Sequence, residues 1–232
     1  MRLLLISNST QHGSSYLDHC AEEIQDFLGN ARRVAFVPFA LYDWEAYTDT
    51  VRARLQQLGF EVTGVHEQGQ AQRTLEDADA IFIGGGNTFR LLNQLYQQKL
   101  LTVIRERVRE GMPYIGASAG TGVACVTIKA TNDMPIVYPP SFGALDLVPF
   151  NINCHYIDPD PNSKHQGETR AQRIKEFHEE NENPVVGLRE GALLRVENNA
   201  ITLKGRANAR LFRKGEEAVE YESGADLSFL VR

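Results

Sequence analysis

Pro113-Tyr114-Ile115-Gly116-Ala117-Ser118-Ala119-Gly120 is the stretch from which the chain is best read. A short apolar run leads into it, and small residues, Gly120-Thr121-Gly122-Val123-Ala124-Cys125, lead out of it. An apolar run bounded by turn formers reads as a buried strand, so Pro113–Ala117 is predicted to be one. A G-x-S-x-G between strand and helix is a nucleophile elbow. Its glycines permit a tight, strained turn that lifts the serine above the strand, and the following amide can help hold an oxyanion. Ligands of open α/β sheets sit at the carboxyl ends of strands, which is where Ser118 falls. A small-residue turn packed against a neighbouring helix would carry the same letters, but the strand in front favours the functional reading.

The sequence on either side fits that frame. Leu3–Ser7, Arg33–Pro38, Phe60–Val65 and Ala80–Gly84 are further strand-like runs. Helical spacing separates them. Tyr16–Phe27 carries Leu17, Ala21, Ile24 and Phe27. Asp43–Leu58 carries Val51, Leu55 and Leu58, with Gly59 placed to stop it. Thr88–Gln98 and Leu101–Glu110 are also predicted helices. Strands alternating with helices predict crossovers and a mainly parallel sheet flanked by helices. The second half differs. Asp146–Asn153 reads as a strand, 156–167 as a long polar loop, and Glu168–Glu180 as a helix with Ile174 and Phe177 inward. Short runs follow at Val185–Leu188, Ala192–Val196, Ala200–Leu203, Ala209–Arg213 and Ala218–Tyr221. Turn signals between them predict antiparallel strands toward the C-terminus. No repeat or linker interrupts the chain, so residues 1–232 are read as one α/β domain.

Composition narrows the function. The 232 residues are 42% hydrophobic and 23% charged, which excludes disorder, collagen-like repeats and a coiled coil. A net charge of −6 provides no electrostatic footprint for nucleic acid or anionic lipid. Cys20, Cys125 and Cys154 are odd in number and form no CxxC, so no disulfide framework is indicated. The apolar run Leu3–Ile6 is shorter than the roughly 7–15 residues of a secretory core. No stretch approaches the roughly 18–20 apolar residues of a membrane span. A cytoplasmic protein is expected. The histidines are scattered and no HExxH occurs, so neither metal nor cofactor is expected. The expected partner is a small peptide substrate rather than nucleic acid or membrane, and a homodimer is left open.

A serine nucleophile needs a base and an oxyanion hole. Gly84-Gly85-Gly86-Asn87-Thr88 follows a strand and precedes a helix, where glycines let backbone amides approach a ligand. It is no dinucleotide fingerprint, because Phe89 stands where a third spaced glycine belongs. It also reads as a turn with Thr88 as helix N-cap, and such a turn can still supply an oxyanion amide. Among downstream histidines, His178 lies in a charged run and His165 in a polar loop. His155 ends the run carrying Val148, Phe150 and Ile152, so it is the leading base. Glu190, just beyond Val185–Leu188, and Asp133 are the candidate acids to orient it. Neighbouring strand residues face opposite ways, so Cys154 is expected to point away from the site.

These pieces occur together with others: LLLISNST at 3–10, IFIGGGNTFRLL at 81–92, YIGASAG at 114–120, TNDMPIV at 131–137, ALDLVPFNINCH at 144–155, GETRAQRI at 167–174 and GLREG at 187–191. In order and spacing the chain resembles the peptidase E, or α-aspartyl dipeptidase, family of serine peptidases, related to cyanophycinase. The resemblance implies a class I glutamine-amidotransferase-like α/β sandwich. It implies a catalytic Ser118, His155 and Glu190, with oxyanion donors at Gly85, Gly86 and Ala119. It also implies an Asp-X dipeptide as substrate. Arg170 in the GETR segment is expected to read the aspartate carboxylate, with Asn87 and Asp133 also at the substrate. The family pattern has tryptophan before the serine and proline before the histidine, where this chain has Ala117 and Cys154. Two other readings compete. An α/β-hydrolase esterase would place its acid ahead of the histidine, at Asp133 or Asp146, with His12-Gly13 as its oxyanion loop. A non-catalytic binding module of the same fold is the other.

Overall fold

The computed structural model describes residues 1–67, 69–160, 162 and 167–231. Its centre is β1 (Arg2–Ile6), four of whose five residues are fully buried. An apolar strand buried on both faces needs cover on both, and it has it. Leu3 and Leu5 face one cluster and Leu4 and Ile6 the other. Around β1 lie β2 (Arg33–Val37), β3 (Glu61–Gly64), β4 (Ala80–Ile83) and β5 (Tyr114–Ala117), all parallel, in the order β3-β2-β4-β5-β1. Helices α1 (Ala21–Leu28) and α2 (Trp44–Gln57) cover the face of Leu4 and Ile6. Helices α3 (Ala71–Asp77), α4 (Thr88–Gln97), α5 (Leu100–Arg109) and α6 (Ala119–Ala124) cover the other.

The C-terminal strands divide between two sheets. β8 (Ala192–Glu197) and β9 (Ala200–Gly205) extend the main sheet antiparallel beyond β1. A second sheet has the order β11-β10-β7-β6, with β6 (Asn151–Cys154), β7 (Val185–Leu188), β10 (Ala209–Phe212) and β11 (Val219–Tyr221). β6 and β7 are parallel, joined through helix α7 (Arg170–Glu180), and the other pairs are antiparallel.

Three expectations need correction, and one helix went unpredicted. The strand predicted over Asp146–Asn153 shrinks to Asn151–Cys154. Leu145, Asp146 and Leu147 instead donate their amides to the carbonyls of Val123, Cys125 and Ala124, satisfying the end of α6. The helix predicted over Tyr16–Phe27 is broken, because Leu17 adopts φ 59° and a 3-10 turn precedes α1. Helix α3 escaped the sequence because only Thr74 and Leu75 are buried along it, too few to make a periodic face. The N-cap of α4 is Asn87, whose Oδ1 accepts from the Arg90 amide at 3.0 Å, and not Thr88. Among the described residues no helix is long and apolar enough to cross a membrane.

Candidate active site

Ser118 sits where β5 turns into α6, at φ 51° and ψ −106°. A non-glycine residue in that region costs on the order of 1–3 kcal/mol and persists only when its surroundings dictate it. They do. The Ser118 amide donates to Ile6 O at 2.9 Å, and Thr121 Oγ1 bridges Ile6 O and Gly116 O at 2.8 Å each. Close approach demands a glycine at position 120, because a Cβ there would lie 2.0 Å from Ile83 O.

His155 follows β6 and Glu190 follows β7, the parallel pair of the second sheet. This pairing brings both to the carboxyl edge that carries Ser118. His155 Nε2 lies 2.9 Å from Ser118 Oγ, and Nδ1 lies 2.7 Å from Glu190 Oε1. With the carboxylate as acceptor, Nδ1 carries the hydrogen and Nε2 is left to accept from the serine. The structure therefore joins the three residues in one hydrogen-bonded series. A cleft of about 700 Å³ opens over Ser118 and His155, lined also by Gly85, Gly86, Asp133, Tyr16, Tyr47 and Asp43.

The glycine loop after β4 lies directly against the serine. A Cβ on Gly85 would be 3.1 Å from Ser118 Cβ. Tyr47, which sequence reading passed over, shapes this loop. Its phenol is raised by burial, opposed by hydrogen bonds from Tyr16 and from the Gly85 backbone. The Tyr47 hydroxyl lies against the loop itself: a Cβ on Gly84 would be 2.4 Å from it. Only the helical spacing of α2 pointed to Tyr47 as an inward residue, and nothing in it pointed to the site.

Asp133 lines the cleft but does not touch His155. Its Oδ2 accepts from the Thr88 amide at 2.7 Å and from Thr88 Oγ1 at 2.5 Å. It holds the start of α4, where a carboxylate is also favoured by the helix dipole. Asn87 is likewise occupied. Its Oδ1 caps α4 and its Nδ2 donates to Met134 O at 2.9 Å, so its side chain is spent on the loop beside the cleft. Arg170 is the first residue of α7, placed by a capping box between Thr169 and Gln172. It is half-buried and makes no hydrogen bond or ion pair among the described residues, since Glu168 pairs with Arg173 instead. Burial and the neighbouring Arg173 lower its pKa, and Asp133 acts against them. Among the described residues it is thus an arginine without a fixed anion, and Asp133 of the cleft is the acidic group that acts on it.

Three other residues differ from expectation. Cys154 does not point away: its Sγ lies 3.5 Å from Ser118 O, and it lines a cavity of about 30 Å³ behind the serine and His155. Strand alternation fails because His155 leaves β6 at φ 52°, which turns its side chain back to the same region. Burial raises the Cys154 thiol well above its ordinary pKa, so it offers no thiolate. His178 is buried, with Nε2 3.1 Å from Asn183 O, and not on a solvated face. Asp146 is exposed, 4.0 Å from Arg109, far from the role an esterase would give it. His165 lies outside the described residues.

A strained serine hydrogen-bonded in series to histidine and glutamate, at the carboxyl edge of a mainly parallel α/β sandwich, defines a serine hydrolase of the class I glutamine-amidotransferase-like fold. The comparisons with known proteins narrow that class. The model of peptidase family S51 matches residues 3–204, and the chain belongs to that family of serine peptidases. Peptidase E of Streptomyces coelicolor is 54% identical over 231 residues, covering 100% of this chain and 95% of its own. A Drosophila melanogaster protein described as a probable α-aspartyl dipeptidase is 50% identical, covering 99% and 97%. The fold matches the crystal structure of a peptidase from an acI-B1 actinobacterium at a TM-score of 0.76, with 17% identity and 98% and 96% coverage.

Proposed function

We propose that this serine peptidase hydrolyses dipeptides with N-terminal aspartate through an acyl-enzyme on Ser118. The observation that carries the reading is the 2.9 Å and 2.7 Å series from Ser118 through His155 to Glu190. Ser118 Oγ attacks the peptide carbonyl as His155 Nε2 takes its proton. His155 then returns that proton to the leaving amine. Water attacks the ester with the same histidine as base. Glu190 holds the imidazole tautomer and stabilises the imidazolium. The amides of Gly85, Gly86 and Ala119 are the oxyanion donors. The cleft is within the few hundred to about 1,000 Å³ usual for small ligands, in keeping with a dipeptide.

Aspartate selection rests on the names of the relatives and on Arg170. A buried substrate carboxylate is costly without a partner, and the chain's net charge of −6 does not attract it. A guanidinium free of fixed anions among the described residues meets that need bidentately. The three cysteines are unpaired, which fits a reducing compartment such as the cytoplasm. The test is a panel of Asp-X, Glu-X, Asn-X and X-Asp dipeptides with the wild type and Ser118→Ala. Asp-X alone should be cleaved well, and Ser118→Ala should lose about 10⁴- to 10⁶-fold in kcat. Cleavage by folded Ser118→Ala at more than a few per cent of wild type overturns the assignment.

A further inference from the structure

The end of β1 carries two buried polar residues, Ser7 and Asn8, that the reaction as described leaves without a role. Buried polar side chains are costly unless their hydrogen bonds are made. Here those bonds run to His155 and to the segment that carries Glu190, and the carbonyl just before them holds Ser118. Ile6 O accepts the Ser118 amide at 2.9 Å. Ser7 Oγ accepts the His155 amide at 3.0 Å and donates to Leu188 O at 2.7 Å. Asn8 Oδ1 accepts the amide of Gly191, next to Glu190, at 2.8 Å. Three consecutive residues thus hold the nucleophile, the base, and the backbone at Leu188 and Gly191 on either side of the acid.

The grip on His155 is the most demanding. His155 adopts φ 52°, a conformation unfavourable for a side chain with a Cβ, and this turn aims the imidazole at Ser118. Something must hold it. A hydroxyl has one hydrogen and free lone pairs. Leu188 O can only accept, so the Ser7 hydrogen goes there, and the oxygen faces His155 N–H as acceptor. Ser7 is fully buried, so water does not replace that acceptor. Leu188 O also takes the Tyr156 amide at 3.1 Å, so loss of the hydroxyl orphans the His155 amide rather than the carbonyl.

We propose that Ser7 is a positioning residue of this peptidase: its hydroxyl sets the backbone turn that aims His155 at Ser118. The inference rests on the assignment of Ser118 and His155 above. Reacting groups misplaced by about 1 Å lose on the order of 10² in rate. Ser7→Ala should therefore lower kcat for Asp-Leu by roughly 10- to 100-fold with KM within about twofold. Labelling of Ser118 by a fluorophosphonate, which also needs His155, should slow in parallel. Ser7→Thr, which keeps a hydroxyl, should recover most of both, and Ser7→Cys, a near-isostere but poor acceptor, should not. Thermal unfolding of each variant reports folding independently. If Ser7→Ala does not fold, the comparison of Ser7→Cys with Ser7→Thr decides. Wild-type kcat and labelling in folded Ser7→Ala or Ser7→Cys overturn the inference, as does Ser7→Thr impaired as deeply as Ser7→Ala. Ser118→Ala and His155→Ala separate the two levels. If either stays active the triad assignment fails, whereas inactive triad variants beside an active Ser7→Ala sink only the role of Ser7.

Discussion

At the scale of single residues, the division of labour between two carboxylates is the decisive point. Glu190 accepts from His155 Nδ1 at 2.7 Å, whereas Asp133 accepts from Thr88. Glu190→Gln removes the charge that favours imidazolium and lets the wrong tautomer compete, so kcat should fall roughly 10²- to 10⁴-fold with little change in KM. A loss below threefold would point to the acid-before-histidine order of an esterase instead. In the proposed reading Arg170 acts on binding. Arg170→Ala should lower kcat/KM for Asp-Leu by roughly 10²-fold, and Arg170→Lys should recover only part, because a point charge does not replace a planar fork. Fluorophosphonate labelling should be nearly unchanged in both, since that probe carries no aspartate side chain. Wild-type kcat/KM in Arg170→Ala would assign the carboxylate to another residue.

At the scale of elements, the sheet's far end is tied by one carboxylate. Asp79, just ahead of β4, accepts from the Arg32 amide at 3.0 Å and the Arg33 amide at 2.9 Å. It also takes Arg33 Nη2 at 2.9 Å, so it joins the starts of β2 and β4. Hydrogen bonds from the Arg33 side chain and then its backbone hold the Asp79 pKa at about 2, against an ordinary 3.8. A pKa depressed in the folded state stabilises above the unfolded value and ceases to as pH falls through the folded one. The carboxyl is about one-third exposed, so solvent screens the pair. Asp79→Asn should lower stability by about 1 kcal/mol near neutrality, measured by urea unfolding. The difference from wild type should shrink below pH 4 and vanish near pH 2. A difference that does not change with pH would mean that the charge is irrelevant there.

At the scale of the molecule, the two sheets share one core. Ile152, Val186, Leu188 and Leu211 of the smaller sheet pack in the same cluster as Leu3, Leu5, Leu194 and Val196 of the larger. The series at the site spans both, with Ser118 on one sheet and His155 and Glu190 on the other. The protein should therefore unfold in one transition, with coincident midpoints for far-UV circular dichroism, peptidase activity and the fluorescence of Trp44, the chain's one tryptophan. Trp44 packs on Phe39 beside the larger sheet, so an earlier loss of activity than of its signal would show the smaller sheet unfolding alone.

Local pattern was enough for much of this. The parallel sheet was legible because β1, β2, β4 and β5 are short apolar runs buried on both faces. The elbow was legible because only small residues suit so tight a turn. Ser118, His155 and Glu190 each end a strand-like run, and that placement is visible along the chain. What local pattern lacks is pairing. Nothing near Val185 says that β7 lies parallel to β6, yet that pairing brings Glu190 to His155. Nor does a one-residue register rule foresee the turn at His155 that leaves Cys154 beside the serine. Tyr47, Ser7 and the use of Asp133 to hold Thr88 depend on contacts between segments far apart in sequence. Hydrophobic periodicity records which way a side chain faces its own sheet or helix. Which distant group it then meets is set by packing, and so only the tertiary structure decided it.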